Sequence, residues 1–250
     1  MTMGDELLLL AITPGRLHRG IRIRSPQRLR LALRAAELAE LALAGRVDVG
    51  ERRIAVRDRT PVEVPRLSGV LRVLAGTEPA PTPEEWLRAA PRSLLAEYIS
   101  RLQDRKVIRV RRWRGRDGRT RNDILSADLP RRRELVARLE AAVRAATGLA
   151  DDDPDLAYDL ALAVLVRSAG LAAAVHPGPR GLPARRRMAA LSAPDGDSGA
   201  LGGAVAAAYA AEAAAARIPD VHGLSRGGYG GSGAAADMAG LDGSTPGGTW

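Results

Sequence analysis

Arginine is the residue type in this sequence that is best suited to bind a charged ligand. Seven arginines lie between Arg16 and Arg34, and a second arginine-rich segment spans residues 109–121. A guanidinium group can hold a phosphate through two parallel, charge-assisted hydrogen bonds. Clustered arginines therefore predict a phosphate-bearing partner, which could be a lipid headgroup or a nucleic acid.

Residues that serve catalysis or bind metals are scarce. His18, His176 and His222 lie in separate loops, and none has a carboxylate or second histidine at metal-ligand spacing. Cysteine is absent, which excludes disulfides, thiolate nucleophiles and cysteine-bound zinc. The acidic run at 151–155 is typical of a helix N-cap, and the Gly-rich segment 227–233 lacks the preceding strand of a phosphate loop. We therefore expect no enzymatic activity, no cofactor and no bound metal.

A long helix must position the first arginine group. Its large apolar residues between Leu29 and Leu43 follow the three-and-four spacing of a helix with one buried stripe. Ser25-Pro26 is a start signal and Gly45 is a stop signal, so the sequence predicts a helix from Pro26 to about residue 44.

The segment that precedes this helix has two interpretations. Isoleucine and arginine alternate from residue 21 to 24, which indicates a loop or a short extended piece. Ile21 and Ile23 either enter a membrane as a shallow apolar wedge or belong to a buried strand.

The remaining sequence predicts a mainly α fold, because Ala, Leu, Arg and Glu dominate and aromatic residues make up only 3%. Further helices are predicted near residues 6–12, 67–74, 92–103, 128–146, 153–169, 183–191 and 201–216, and one more begins at residue 84. A small hairpin is predicted over 47–56. A longer hairpin is predicted around Asp117-Gly118, which is typical of a tight turn between strands.

Charge is distributed unevenly along the chain. Residues 1–149 hold 31 basic and 18 acidic residues, a net charge of +13, whereas residues 150–250 hold 7 and 11, a net charge of −4. The anionic partner should therefore bind the first part of the chain. The Gly-rich C-terminal part has few large apolar residues, so we expect a helical domain over 1–217 and a disordered tail over 218–250.

No stretch of the sequence has the length and hydropathy of a membrane-spanning helix. The N-terminus starts with acidic residues and has only a short apolar run, unlike a secretory signal. We expect a cytoplasmic protein that meets a membrane only peripherally, at its cytosolic face.

Several motifs resemble the Golgi phosphoprotein 3 family of phosphoinositide-binding proteins. The most specific is ELALAGRV at residues 40–47, preceded by Arg34 and by the N-terminal ELLLLAI. Thr60-Pro61 before a leucine-bearing helix, Trp86 in EEWLRAAP, RLQDRKVIRV at 101–110 and the apolar DDPDLAYDLALAVLVRSAGLA follow in the family's order. The resemblance covers about residues 5–217.

The resemblance implies a helical bundle core with surrounding amphipathic helices and a projecting β-hairpin used in self-association. It also implies a peripheral membrane protein that binds phosphatidylinositol 4-phosphate. Arg34 matches the family's arginine one turn before the ELAL motif, and Arg92 matches the first of two arginines on a later helix. Leu95 stands in place of the second arginine, and residues 22–25 stand where the family has a loop tryptophan.

From these matches and the basic clusters we predict three sets of functional residues. The lipid headgroup would be bound by Arg34, Arg92, Arg22 and Arg24. The membrane surface would be contacted by Ile21, Ile23, Arg16 and Arg19. A hairpin that joins copies of the chain would use Arg111, Trp113, Arg116 and Arg119.

The sequence thus predicts a phosphoinositide-binding adaptor that uses a basic surface. A nucleic-acid-binding alternative stays open, because the helix 92–103 followed by the arginine-rich hairpin also resembles a winged-helix unit whose wing follows DNA phosphates. The preceding helices, however, offer no clear recognition helix with side chains for base edges.

Overall fold

A computed structural model describes residues 1–13, 22–23, 25–50, 52–116, 118, 120–145 and 153–191, together with residues 207, 210, 211, 213 and 214. Nine α-helices are described from end to end: α1 Met3–Ala11, α2 Pro26–Leu43, α3 Pro65–Ala75, α4 Pro83–Arg88, α5 Leu94–Asp104, α6 Leu129–Ala145, α7 Pro154–Ser168, α8 Ala172–Val175 and α9 Leu182–Ala190. The six described strands are β1 Ile12–Thr13, β2 Arg22–Ile23, β3 Val47–Val49, β4 Ile54–Val56, β5 Ile108–Arg114 and β6 Thr120–Ala127.

The prediction of a mainly α fold with a β-hairpin is confirmed. The strands form three separate antiparallel pairs, β1 with β2, β3 with β4 and β5 with β6. Most helix ends lie within a few residues of the positions that the cap and turn residues indicate. The predicted tail over 218–250 and most of the predicted helix over 201–216 lie outside the described residues.

Helix α2 is the centre of the fold and is buried on nearly every side, whereas its sequence pattern predicted a single buried stripe. The reason is that α1, α3, α4, α5 and α7 all pack against it. Small side chains let these neighbours approach closely, since five alanines of α2 are at most 1% exposed: Ala32, Ala35, Ala36, Ala39 and Ala42. Ser25 occupies the N-cap position with a left-handed φ of 44°, but its hydroxyl makes no capping hydrogen bond, so Pro26 is the effective start signal.

Helix α1 lies wholly in the interior, including its two acidic residues. Asp5 closes a capping box with Thr2 and pairs with Arg101 at 2.9 Å and Arg105 at 3.2 Å. Glu6 pairs with Arg138 of α6 at 2.6 Å. Ion pairs from α5 and α6 therefore compensate the burial of these carboxylates and anchor α1 in the bundle.

The β5–β6 hairpin follows α5 through a turn at Lys106. Lys106 has a φ of 59°, the left-handed conformation that usually selects glycine at the end of a helix. The two strands pair from Ile108–Ala127 to Arg114–Thr120, with a bulge between Arg109 and Val110. Lys106 therefore ends the helix in the backbone conformation of a glycine cap.

Each helix in the described part of the chain is too short or too polar to span a lipid bilayer.

Candidate functional site

The Arg34 side chain of α2 is buried, and its contacts fix the orientation of its guanidinium group. Its guanidinium carbon stands 3.7 Å from the centroid of the Trp86 ring, so the two planar groups form a cation–π contact. Its Nη1 donates a hydrogen bond of 2.9 Å to Glu37 Oε2. The Arg34 side chain is only 9% exposed, and its buried Nε has no hydrogen-bond partner.

Glu37 joins Arg34 to residues of two other helices. Its carboxylate is fully buried and also accepts a hydrogen bond from Arg66 Nε of α3 and one of 3.3 Å from the Tyr98 hydroxyl of α5. Arg66 Nη1 in turn donates to Glu97 Oε2 at 2.5 Å. We call these five residues, Arg34, Glu37, Arg66, Glu97 and Tyr98, the Glu37 cluster. It brings two guanidinium groups onto one buried carboxylate.

The pKa shifts in the Glu37 cluster follow its geometry. Burial alone lowers the pKa of Arg66, but the Glu37 and Glu97 carboxylates raise it by more, so the group stays charged. Burial, reinforced by Glu37, raises the pKa of Tyr98 well above its usual value, so the phenol stays protonated. Hydrogen bonds from Ser93 and Arg66 lower the pKa of Glu97. The cluster thus holds two guanidinium cations, and its Glu97 carboxylate lies at the solvent-exposed side.

Arg92 is exposed and lies in the segment between α4 and α5, six residues after Trp86. It has no hydrogen-bond or ion-pair partner among the described residues. Because α4 and α5 both pack on α2, Arg34 and Arg92 are carried by adjoining elements. Leu95, which stands where the family has its second arginine, is half-buried and packs against the core.

The loop residues predicted for the membrane surface are described only in part. Ile23 lies in β2, where it pairs with Ile12 and packs half-buried against the core; its contact with a membrane stays a prediction. The backbone of Arg22 lies in the same strand. The other predicted loop residues lie outside the described residues and stay predictions: Arg16, Arg19, Ile21 and Arg24.

The predicted hairpin residues Arg111, Trp113 and Arg116 are exposed, and Arg119 lies outside the described residues. Arg111 pairs with Asp123 at 3.0 Å across the two strands. Hydrogen bonds from Arg111 and from Trp113 lower the pKa of Asp123, so this carboxylate orients both side chains. Trp113 is 40% exposed, and the hairpin therefore presents an aromatic ring beside arginines.

The sequence motifs do not identify Glu37, Arg66, Glu97 or Tyr98 as site residues. One signal was available, because Glu37 interrupts an apolar helix face, and a charged residue at such a position needs a partner when it is buried. The partners are distant in sequence: Arg66 follows Glu37 by 29 residues and Tyr98 by 61.

No cluster of three or more potential metal ligands occurs in the described part of the chain.

No individually curated protein matches the chain. The family described as Golgi phosphoprotein 3 (GPP34) matches residues 3–216. This match includes Arg34, Trp86, the Glu37 cluster and every helix from α1 to α9. The chain therefore belongs to the Golgi phosphoprotein 3 family.

Proposed function

We propose that this protein is a peripheral membrane adaptor that binds a phosphoinositide headgroup of the phosphatidylinositol 4-phosphate type. The observation that carries the proposal is the family match over residues 3–216, since this family binds phosphoinositides at membrane surfaces. Binding would occur at the cytosolic face, where anionic lipids are concentrated. The β5–β6 hairpin would join copies of the chain.

The arrangement of arginines supports this function. Trp86 and Glu37 hold the Arg34 guanidinium in one orientation, so little conformational entropy remains to be lost on binding. Arg92 is exposed and unpaired within the described part of the chain, so it is free to reach a phosphate. The net charge of +13 in residues 1–149 adds a longer-range attraction of about 1 kcal/mol for each basic residue near an anionic leaflet.

Sedimentation of the full-length protein with vesicles tests the proposal. We expect binding to vesicles that contain phosphatidylinositol 4-phosphate and weaker binding to vesicles of equal charge that contain phosphatidylserine. Arg92→Ala should weaken the first interaction about tenfold, because it removes one charge-assisted contact to phosphate. Arg186→Ala is the matched control, since Arg186 is an exposed arginine of α9.

Equal binding to neutral vesicles, or equal losses in the Arg92 and Arg186 variants, would contradict headgroup recognition. Arg34→Ala is less informative by itself, because it also unstacks Trp86 and leaves Glu37 with one partner fewer. A parallel measurement with duplex DNA examines the winged-helix alternative. A sequence-dependent, salt-sensitive complex with DNA together with no vesicle binding would favour that alternative.

A further inference from the structure

The side chains of the Glu37 cluster differ in their exposure to solvent. The side chain of Glu37 is fully buried, that of Arg66 is 20% exposed and that of Glu97 is 44% exposed. Glu37 is therefore the buried carboxyl group of the cluster, whereas Glu97 is the carboxyl group at its rim. Arg66 lies between the two carboxylates and bonds to both.

Arg66 is held in position by the buried side of the cluster. Its Nε donates to Glu37, and its guanidinium carbon lies 5.0 Å from the centroid of the Tyr98 ring. Neither of these contacts involves Glu97. The Nη1 group, which now donates to Glu97, therefore points at a position where any anion of suitable size would be bound.

Glu97 is the exchangeable partner. An ion pair with a half-exposed carboxylate contributes about 0–1 kcal/mol, because water competes for both groups. A phosphate monoester carries about −1.5 to −2 charges near neutral pH and has three acceptor oxygens. It would therefore compete well with a single carboxylate for Arg66. The Ser93 hydroxyl, which now donates to Glu97, would be released as a further donor.

We propose that Arg66 supplies the second guanidinium group of the phosphate site and that Glu97 occupies the phosphate position in the unbound protein. This proposal rests on the proposed function. In the family's pattern a second arginine stands on α5, at the position that Leu95 occupies in this chain. The proposal gives the role of that arginine to Arg66 of α3. Arg34 and Arg66 are joined through Glu37, so both guanidinium groups lie on one preorganised unit. The ligand is a phosphate monoester, either on an inositol lipid or free in solution.

Glu97→Gln is the decisive variant, because the proposal predicts a gain of binding, which misfolding would not produce. The substitution removes the competing charge but keeps the size of the side chain. We expect about fivefold tighter binding to vesicles that contain phosphatidylinositol 4-phosphate. Glu140→Gln is the matched control, since Glu140 is 46% exposed and also pairs with an arginine, Arg144 at 3.3 Å.

Arg66→Lys provides the complementary loss. Lysine keeps the positive charge but cannot donate to two anions in the planar geometry of a guanidinium group. We expect about tenfold weaker binding, and we expect Glu97→Gln to give no gain in the Arg66→Lys background. Circular dichroism and the melting temperature verify that each variant is folded.

The outcomes separate this inference from the proposed function. If the wild-type protein binds the phosphorylated vesicles but Glu97→Gln and Glu140→Gln behave alike, only the roles of Arg66 and Glu97 are wrong. If neither the wild-type protein nor Glu97→Gln binds the vesicles or inositol 1,4-bisphosphate, both proposals fail. Titration with inositol 1,4-bisphosphate identifies the source of the phosphate. A gain for this soluble probe together with none for vesicles would support the phosphate site and contradict a lipid ligand.

Discussion

The side-chain carboxyl group of Glu40, the first residue of the ELALAGR motif, connects α2 to the start of α1. Its Oε1 accepts a hydrogen bond of 2.9 Å from the Met3 N–H, one of the first-turn amides that have no partner within their helix. Its Oε2 is buried without a partner. Burial raises the pKa of Glu40 to about 7, although the Met3 hydrogen bond acts in the opposite direction. The motif's glutamate is therefore a structural anchor that titrates near neutral pH.

The first prediction concerns stability and pH. The folded pKa of about 7 lies above the ordinary value of 4.5, so the folded protein binds the Glu40 proton more tightly than the unfolded chain. The free energy of unfolding should therefore fall as pH rises from 4.5 to about 7. The proton bound to Glu40 stabilises the folded state by at most about 3 kcal/mol, and this stabilisation should be absent above this range. Glu40→Gln keeps the acceptor for Met3 and should remove this dependence. Urea unfolding of both proteins across the range measures it, and parallel pH profiles would show that Glu40 is not responsible.

The second prediction concerns the contact between α1 and α5. A Cβ atom added at Gly4 would lie 2.5 Å from the ring and hydroxyl of Tyr98, which is itself fully buried. Gly4→Ala should therefore lower the free energy of unfolding by about 1–3 kcal/mol. Gly69→Ala in α3 is the control, since nothing lies within 4 Å of its added Cβ. It should raise stability by about 0.5–1 kcal/mol through helix propensity. Equal effects in thermal melts would contradict the close packing at Gly4.

At the scale of elements, the helix and strand positions were largely predictable because their signals are local. Prolines start α2, α3, α4 and α7, and Gly45 follows the end of α2. The all-round burial of α2 was not predictable from its own pattern, because its alanines are compatible with either a buried or an exposed face. Only the arrangement of the surrounding helices decides between the two.

The third prediction concerns two of the left-handed helix ends, those of α2 and α5. Lys106 has a φ of 59°, a conformation that costs a side-chain-bearing residue about 1 kcal/mol relative to glycine. Lys106→Gly should therefore raise stability by about 0.5–1 kcal/mol. Gly45 has a φ of 68° with nothing within 4 Å of an added Cβ, so Gly45→Ala should lower stability by a similar amount through backbone strain alone. Melting temperatures of both variants measure the effect, and shifts of the same sign would contradict it.

At the scale of the whole molecule, the candidate site depends on contacts between distant parts of the sequence. The family motif identified Arg34, because a motif is a local pattern. It did not identify Arg66 or Tyr98, because their contacts with Glu37 form only when α3 and α5 dock on α2. Likewise Trp86, which belongs to the EEWLRAAP motif, contacts Arg34 only in the folded chain.

The fourth prediction concerns self-association through the β5–β6 hairpin. Trp113 is 40% exposed at the end of β5, and burial of such a ring in a contact between copies would be favourable. We expect sedimentation velocity to show the wild-type protein as an oligomer and Trp113→Ser as a smaller species. Val73→Ser is the control, since Val73 is 56% exposed on α3, and it should leave the sedimentation coefficient unchanged. A monomeric wild-type protein would contradict this role of the hairpin.

The stacking of Trp86 on Arg34 also gives the protein an intrinsic optical signal at its candidate site. Trp86 is 4% exposed, and the remaining indoles of the sequence belong to Trp113 and Trp250. A protein with Trp113→Phe and Trp250→Phe would therefore emit from Trp86 alone, with a spectrum shifted to short wavelength by burial. Any ligand that moves the Arg34 guanidinium across the indole ring would change this emission. Fluorescence titration could then follow occupancy of the site in solution without an attached dye.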